Sequence, residues 1–289
     1  MRKAKLILKA SLFGLAFLTI NIALGQSNSS KSQFPEFASY KTWGFTFNPV
    51  LNRAPNYTRT LGNIDIKGNS IPGVNFGFNK VIQPERELSF RYGVHLNLLP
   101  LESIQFRLPD GDIPGFTNFE SNERTLGQLI ISVPLEMELK KQMGSRIYFS
   151  ARIGVNLTLL REGSVEGTVS AFVEDLNEGR EIFGIRGQTR KFPIYPNLKI
   201  SPGFYYMTKP ILYQVSIIYQ KAIPNYFTGE YLFDNLEISE RTEGTYSLSG
   251  DQLGIGITLF LRKSQKNLRS LKRRLSRMFT LINCFLFKS

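Results

Sequence analysis

The chain has 289 residues, 42% hydrophobic and 12% aromatic, and its single cysteine, Cys284, excludes an internal disulfide or a thiolate-built metal site. The formal charge of +13 sits mostly outside the body: the first 25 residues contribute +4 and residues 263–289 contribute +8, which leaves +1 between them. So neutral a body argues against a nucleic-acid-binding domain, and no later segment reaches the about 18 uninterrupted apolar residues of a spanning helix.

Arg2, Lys3, Lys5 and Lys9 precede an apolar run from Ala10 to Leu24, and small Ala23 and Gly25 stand before Gln26. That order predicts a secretory signal peptide over residues 1–25. The run is broken by Asn21 and is shorter than the about 20 residues of a membrane anchor. No cysteine follows it, so nothing points to a lipidated amino terminus. A Ser/Asn-rich leader, residues 26–41, is expected in the periplasm.

Eight segments of alternating polarity follow. Thr42 to Val50 sets Trp43, Phe45 and Phe47 against Gly44, Thr46 and Asn48. Gly73 to Ile82 sets Val74, Phe76 and Phe78 against Asn75, Gly77 and Asn79, and after QPERE the third sets Phe90, Tyr92, Val94 and Leu96 against Arg91, Gly93, His95 and Asn97. The fourth and fifth form the longest hairpin, Leu126 to Leu160, in which Leu129 through Leu139 alternate with Ser132, Glu136 and Glu138, and Ile147 through Leu159 alternate with Ser150, Arg152 and Asn156. Ile194 to Met207, Ile211 to Ala222 and Leu248 to Leu261 complete the set. A two-residue period gives each strand one apolar and one polar face. The lengths match the about 9 to 11 residues a tilted strand needs to cross a membrane.

Connections after segments 2, 4 and 6 are a few residues long, whereas those over 51–72, 100–124, 161–193 and 224–247 are long. Short turns at one end and long loops at the other are the signature of a transmembrane antiparallel up-and-down β-barrel of eight strands, spanning residues 42–262 in the cell outer membrane with both termini periplasmic. Periodicity alone does not say which face points outward, so a soluble lipocalin-type barrel is the competitor. Uninterrupted apolar faces opposite Arg91, Glu136, Glu138, Arg152 and Lys199 favour lipid outside. Trp43, Tyr206, Tyr213 and Tyr219 near segment ends suit interfacial girdles.

The leader ending ALG before Gln26, the segment QLIISVPLEMEL and the closing SLSGDQLGIGITLFLRK resemble the eight-stranded outer-membrane β-barrel families of Bacteroidota, the porin-family or PorT-like proteins. The likeness covers about residues 26–262 and is one of pattern, without a catalytic motif. It implies that the last strand is read by the barrel assembly machinery, with Gly256, Leu259 and Leu261 at the matching positions; here the closing residue is not aromatic and the strand does not end the chain.

The lumen of so small a barrel is filled by side chains, so Arg91, His95, Glu136, Glu138, Arg152 and Lys199 are expected to form a self-pairing plug, with a gated pore as the alternative. His95, the only histidine, has Ser89 and Ser103 available, but no spacing aligns them for catalysis, and a non-enzymatic role is expected. Asp110 and Asp112 in LPDGD read as a turn rather than a calcium loop, and neither metal nor cofactor is expected. The long loops are the expected carriers of a binding role toward a protein partner or surface ligand, and Thr168 to Val173 could extend a hairpin above the membrane. The other reading is a small channel or lipid-modifying enzyme. Past the barrel, Leu268, Leu271, Leu275, Met278, Ile282 and Phe285 repeat at helical spacing. With Lys266, Arg269, Lys272, Arg273, Arg274 and Arg277 beside them, residues 263–289 predict a basic amphipathic helix on outer-membrane lipid.

Overall fold

A computed structural model describes residues 33–99, 102–117, 119–125, 128–173, 178–189 and 193–263. In chain order its strands are β1 (Tyr40–Asn52), β2 (Asn56–Leu61), β3 (Ile66–Lys67), β4 (Ile71–Ile82), β5 (Leu88–Leu99), β6 (Glu102–Arg107), β7 (Glu120–Thr125) and β8 (Gln128–Gln142). There follow β9 (Ile147–Leu159), β10 (Ser164–Val173), β11 (Glu178–Thr189), β12 (Ile194–Met207), β13 (Ile211–Ala222), β14 (Phe227–Phe233), β15 (Thr242–Leu248) and β16 (Gln252–Arg262).

Eight of these close an antiparallel barrel in the order β1-β16-β13-β12-β9-β8-β5-β4, and β4 returns to β1. Closure satisfies the ladders without leaving an edge, which lipid would not tolerate. The polarity runs opposite to that of a soluble barrel. Phe45, Phe78, Val94, Leu129, Ile153, Ile217 and Ile255 point out and are exposed, while Thr46, Asn79, Ser132, Glu138, Arg152, Gln214 and Thr258 point in and are buried. The lipocalin alternative is thereby excluded, and the fold is a transmembrane β-barrel.

The two ends of the barrel differ. At the turn end lie the short connections 83–87, 143–146 and 208–210, and both the first and last strands meet there, Tyr40 opposite Arg262. At the other end the expected long loops prove to be mostly strand. They continue the wall as two sheets, β10-β11-β14-β15-β2 and β3-β6-β7. Ile104, Phe106 and Leu108 from the smaller sheet and its exit pack on Ile182, Phe183, Ile185, Tyr231, Phe233 and Tyr246 from the larger, so the upper wall collapses onto a hydrophobic core of its own. We call this part the cap. One boundary also moves: Leu248, expected in the eighth barrel strand, ends β15 in the cap, and Gly250 and Asp251 separate it from β16.

The leader does more than precede β1. Pro35–Ser39 forms a 3-10 turn that carries Phe37 into the turn end of the barrel, against Tyr148, Tyr205, Met207, Leu212 and Phe260.

Candidate functional site

Five strands aim their polar faces at one point in the lumen. Glu138 of β8 is its hub: Ser89 of β5, Ser150 of β9, Gln214 of β13 and the Tyr205 hydroxyl of β12 all donate to its carboxylate, at 3.3, 2.8, 2.8 and 2.9 Å. Arg91 Nη2 donates to the Tyr205 oxygen at 2.7 Å and lies 3.5 Å from Glu138 Oε1, with both side chains fully buried. Two residues along β8, Glu136 takes Arg152 Nη1 at 3.2 Å and Lys199 Nζ at 2.8 Å, and Arg152 Nη2 reaches Ser216 at 2.6 Å. Low dielectric strengthens these attractions and makes any unpaired member costly. Gly154 leaves the room: a Cβ there would meet the Leu135 carbonyl oxygen at 2.0 Å and Glu136 Cα at 2.7 Å.

Toward the cap the lumen carries neutral polar pairs. Asn79 donates to Thr46 at 2.6 Å and accepts from His95 Nε2 at 3.1 Å; Asn97 donates to Ser132 at 2.8 Å; Asn75, Gln252 and Asn52 form a chain of 3.0 Å bonds. Above them Tyr195, Tyr226, Phe227 and Leu248 close the barrel under the cap, with the Tyr226 hydroxyl donating to Asn197 at 3.1 Å. At the opposite end Phe37 stacks edgewise on Tyr148 and Tyr205 with centroids 5.0 and 5.1 Å away, and Lys140 Nζ lies 4.8 Å over its ring. Lys140 also donates to the Pro84 carbonyl, and Tyr148 donates to Glu36 of the 3-10 turn. The lumen is thus filled at its middle and covered at both ends.

A second polar centre lies where barrel and cap meet. Asp251 accepts from Lys221 Nζ at 2.6 Å, the Ala222 amide at 2.8 Å and Arg53 Nη1 at 3.2 Å, which ties β16 to the ends of β13 and β1. Burial alone would raise its carboxyl, but the hydrogen bonds from Lys221, Ala222 and Arg53 outweigh that and hold it below the ordinary Asp range.

All six lumen residues singled out in the sequence, Arg91, His95, Glu136, Glu138, Arg152 and Lys199, are buried inside the barrel. His95 shares a strand face with Ser89 six residues away, roughly 20 Å along an extended chain. Ser103 belongs to β6 in the cap, where its hydroxyl takes the Asn69 amide at 3.1 Å. The LPDGD turn has Gly111 at φ 87°, and Asp112 is buried as a staple, accepting from the Ile238 amide at 3.2 Å and from the Ser239 amide and hydroxyl at 2.6 Å each. Lys266, Arg269, Lys272, Arg273, Arg274 and Arg277 lie outside the described residues, as does the expected signal peptide. Sequence reasoning missed Tyr205, Gln214, Ser150 and Lys140 as members of the network, although strand phase alone puts Ser150 and Lys140 on the charged face. It also missed Phe37, whose partners lie more than a hundred residues along the chain. On the cap, Asn63, Asp65, Lys67, Arg107 and Glu120, with Ile64, Phe106 and Pro109 among them, line an open hollow of about 420 Å³.

No family model matches the chain. No characterised protein matches it in sequence. Among solved structures it is similar to the outer membrane protease OmpT from Escherichia coli, at 9% identity and a TM-score of 0.36 over 78% of this chain and 98% of that one. It is also similar to the beta domain of the Bordetella autotransporter BrkA, at 8% identity and a TM-score of 0.24 over 78% of this chain and all of the other.

Proposed function

We propose that this chain is an outer-membrane β-barrel with a sealed lumen, and that its work is done by the cap, which binds a protein or surface ligand while the barrel anchors it. One observation carries the reading: the channel axis is occupied by the Glu136 and Glu138 networks and covered by Phe37 at one end and by Tyr195 and Tyr226 at the other. A barrel of eight strands has little interior to spare for a path. The cap, with its own core and 17 of the chain's 23 acidic residues in the four connections that build it, is large enough to hold a surface in fixed shape.

The cap is proposed to face outward and the turn end to face the periplasm, which both chain ends would then share. A signal peptide over 1–25, assembly by the barrel assembly machinery and membership of the Bacteroidota porin-family or PorT-like barrels, some of them secretion-associated, belong to the same proposal. They rest on the ALG leader, on QLIISVPLEMEL and on the closing strand. The role is non-enzymatic in this proposal: His95 is held by Asn79, and Ser132, which stands opposite it on β8, takes Asn97 instead of the imidazole. The tail at 263–289 is proposed to lie on the inner leaflet.

Planar-bilayer recording tests the reading, with no steady conductance expected from purified protein at any voltage the bilayer survives. Stable open steps would refute it. They would favour a gated pore, a reading supported by the fact that the turn-end cover is a short segment outside the barrel wall.

A further inference from the structure

The cap continues the barrel wall, but not all the way round. Each barrel strand leads into or out of one cap strand, so the two cap sheets meet at two seams, β2 beside β3 and β7 beside β10. The first seam is stitched. Gly62, at φ 85°, turns β2 toward β3; the amides of Asn63 and Ile64 donate to Thr242 Oγ1 at 3.1 and 3.3 Å; and Tyr57 reaches across to the Ser103 carbonyl at 3.3 Å. The second seam has nothing comparable: among the described residues no hydrogen bond joins β7 to β10. Yet the strands below it are fully paired, Ile131 opposite Leu159, so the wall splits just above the barrel.

Both lips of the split are strand edges. β7 pairs on one side with β6, and β10 pairs on one side with β11, leaving a row of backbone N–H and C=O groups on each free side. A register shift opposite Val169 and Ser170 leaves Ile182 of β11 as an extra residue, so the part of β10 paired in unbroken register from the barrel upward, Ser164 to Val169, is six residues long, the same as β7. On the outer face Glu120, Asn122, Glu166 and Thr168 are exposed; on the inner face Ser121 and Val169 are buried toward the cap core.

We propose that this split is a strand-addition site, occupied by an extended segment of another polypeptide that pairs with the β10 or β7 edge. The proposal rests on the reading of the cap as the binding part and gives that part its ligand class. An incoming strand must alternate: its inward residues meet Val169 at the rim of the core and are apolar, and its outward residues lie beside Glu120 and beside Glu166, an exposed side chain whose Oε1 takes Arg186 at 3.1 Å, and are basic. The four connections that build the cap carry 17 acidic residues against 11 basic ones in sequence, which draws such a segment in. Two copies in one membrane point their β10 strands the same way, so a β10–β10 ladder between them would be parallel, the slightly less stable pairing.

The test uses the full-length protein in lipid nanodiscs and a blocked nonapeptide, Lys-Val-Thr-Val-Lys-Val-Thr-Val-Lys, as the probe. Hydrogen exchange of backbone amides is read with and without peptide. Saturable slowing by about tenfold or more is expected at residues 164–169 or 120–125, with the barrel strands unchanged. The same peptide N-methylated at alternate residues on its pairing edge should bind at least about tenfold more weakly, since it loses the ladder bonds. A peptide with Glu for Lys should bind more weakly at low salt, and Glu120→Lys with Glu166→Lys should reverse that preference. No protection at either edge up to the peptide's solubility limit, or equal binding of the N-methylated form, overturns the proposal. So does protection of β10 that grows with protein concentration and needs no peptide, which would assign the edge to a second copy. Any of these leaves the sealed lumen standing, whereas a conducting barrel overturns that reading and leaves edge binding to be judged by exchange.

Discussion

Replacing Glu136 by Gln removes one negative charge from between two buried cations. Arg152 Nη1 and Lys199 Nζ lie 3.2 and 2.8 Å from its two oxygens, and no more than 5% of any of the three side chains is exposed. Breaking a buried ion pair by neutralising one partner destabilises by about 3–5 kcal/mol, because the surviving charge keeps its desolvation penalty and loses its compensation. Gln retains shape and one carbonyl acceptor, so the lower figure applies, about 3 kcal/mol or roughly a hundredfold in the folding equilibrium. Urea unfolding in lipid vesicles, followed by the fluorescence of Trp43, the chain's one tryptophan, measures it. Glu166→Gln is the matched control: it also pairs with an arginine, Arg186 at 3.1 Å, but both side chains are more than 60% exposed, and the change should stay within about 1 kcal/mol. Adding Lys199→Met to Glu136→Gln removes one orphaned cation and should recover part of the loss. If Glu136→Gln moves the unfolding midpoint no more than Glu166→Gln does, the lumen is hydrated enough to screen its charges and the argument for a dry plug fails.

Phe37→Ala should release the turn-end cover, raising protease cleavage between residues 33 and 40 at least about tenfold while β-content by circular dichroism is unchanged; unaltered cleavage would mean the ring does not hold the segment. Asp112→Ala strips three donors of a buried acceptor and should destabilise the cap by about 2–3 kcal/mol, seen as faster amide exchange in residues 234–241 with the barrel unaffected. Asp251 has a folded pKa below its unfolded one, so the stability it contributes is complete above about pH 4 and is lost as pH falls through the folded value. Unfolding midpoints should therefore not change on its account between pH 7 and 5, and Asp251→Asn should flatten part of the decline below pH 4; an identical decline in the variant would discount the Lys221 and Arg53 contacts.

The barrel was legible because lipid and lumen make opposite demands on successive residues. Leu129 to Leu139 could not alternate with Ser132, Glu136 and Glu138 for another reason as good, and the register follows that phase. Of the cap, only the hairpin extension at Thr168 to Val173 was legible. The cap's core is assembled from Phe106, Phe183, Tyr231 and Phe233, which come from three separate connections, none apolar enough by itself to announce a folded unit. Glycines also thin the pattern of β10 and β11, and Ile182, the extra residue opposite Val169 and Ser170, breaks the period of β11. The charged members of the lumen network could be named from phase and composition, and the Glu136–Arg152 pair from their places on adjacent strands; that Glu136 also takes Lys199 while Glu138 takes Arg91 and Tyr205 depends on the stagger of the closed barrel. Leu248 was misplaced because its apolar side chain was read as part of the eighth segment, although the five residues to Leu253 put it out of phase with that strand's apolar face, across a break that Gly250 and Asp251 impose.

The seat of Phe37 has an implication for the order in which the molecule is made. Its walls are Tyr148 from β9, Tyr205 from β12, Lys140 from β8, and Phe260 from β16 in the same cluster, and the turn behind it is fastened by the Lys263 amide to the Ser39 carbonyl and by the Phe34 amide to the Glu85 carbonyl. No two consecutive strands make that receptacle; it needs β8, β9, β12 and β16 side by side in one curved wall, joined through β13. The segment that precedes every strand in the chain is therefore among the last to come to rest. Until the closing strand β16 has joined β13 and the wall has curled, Pro35 to Ser39 has no seat, and once it is seated it marks the finished cylinder from an unfinished sheet.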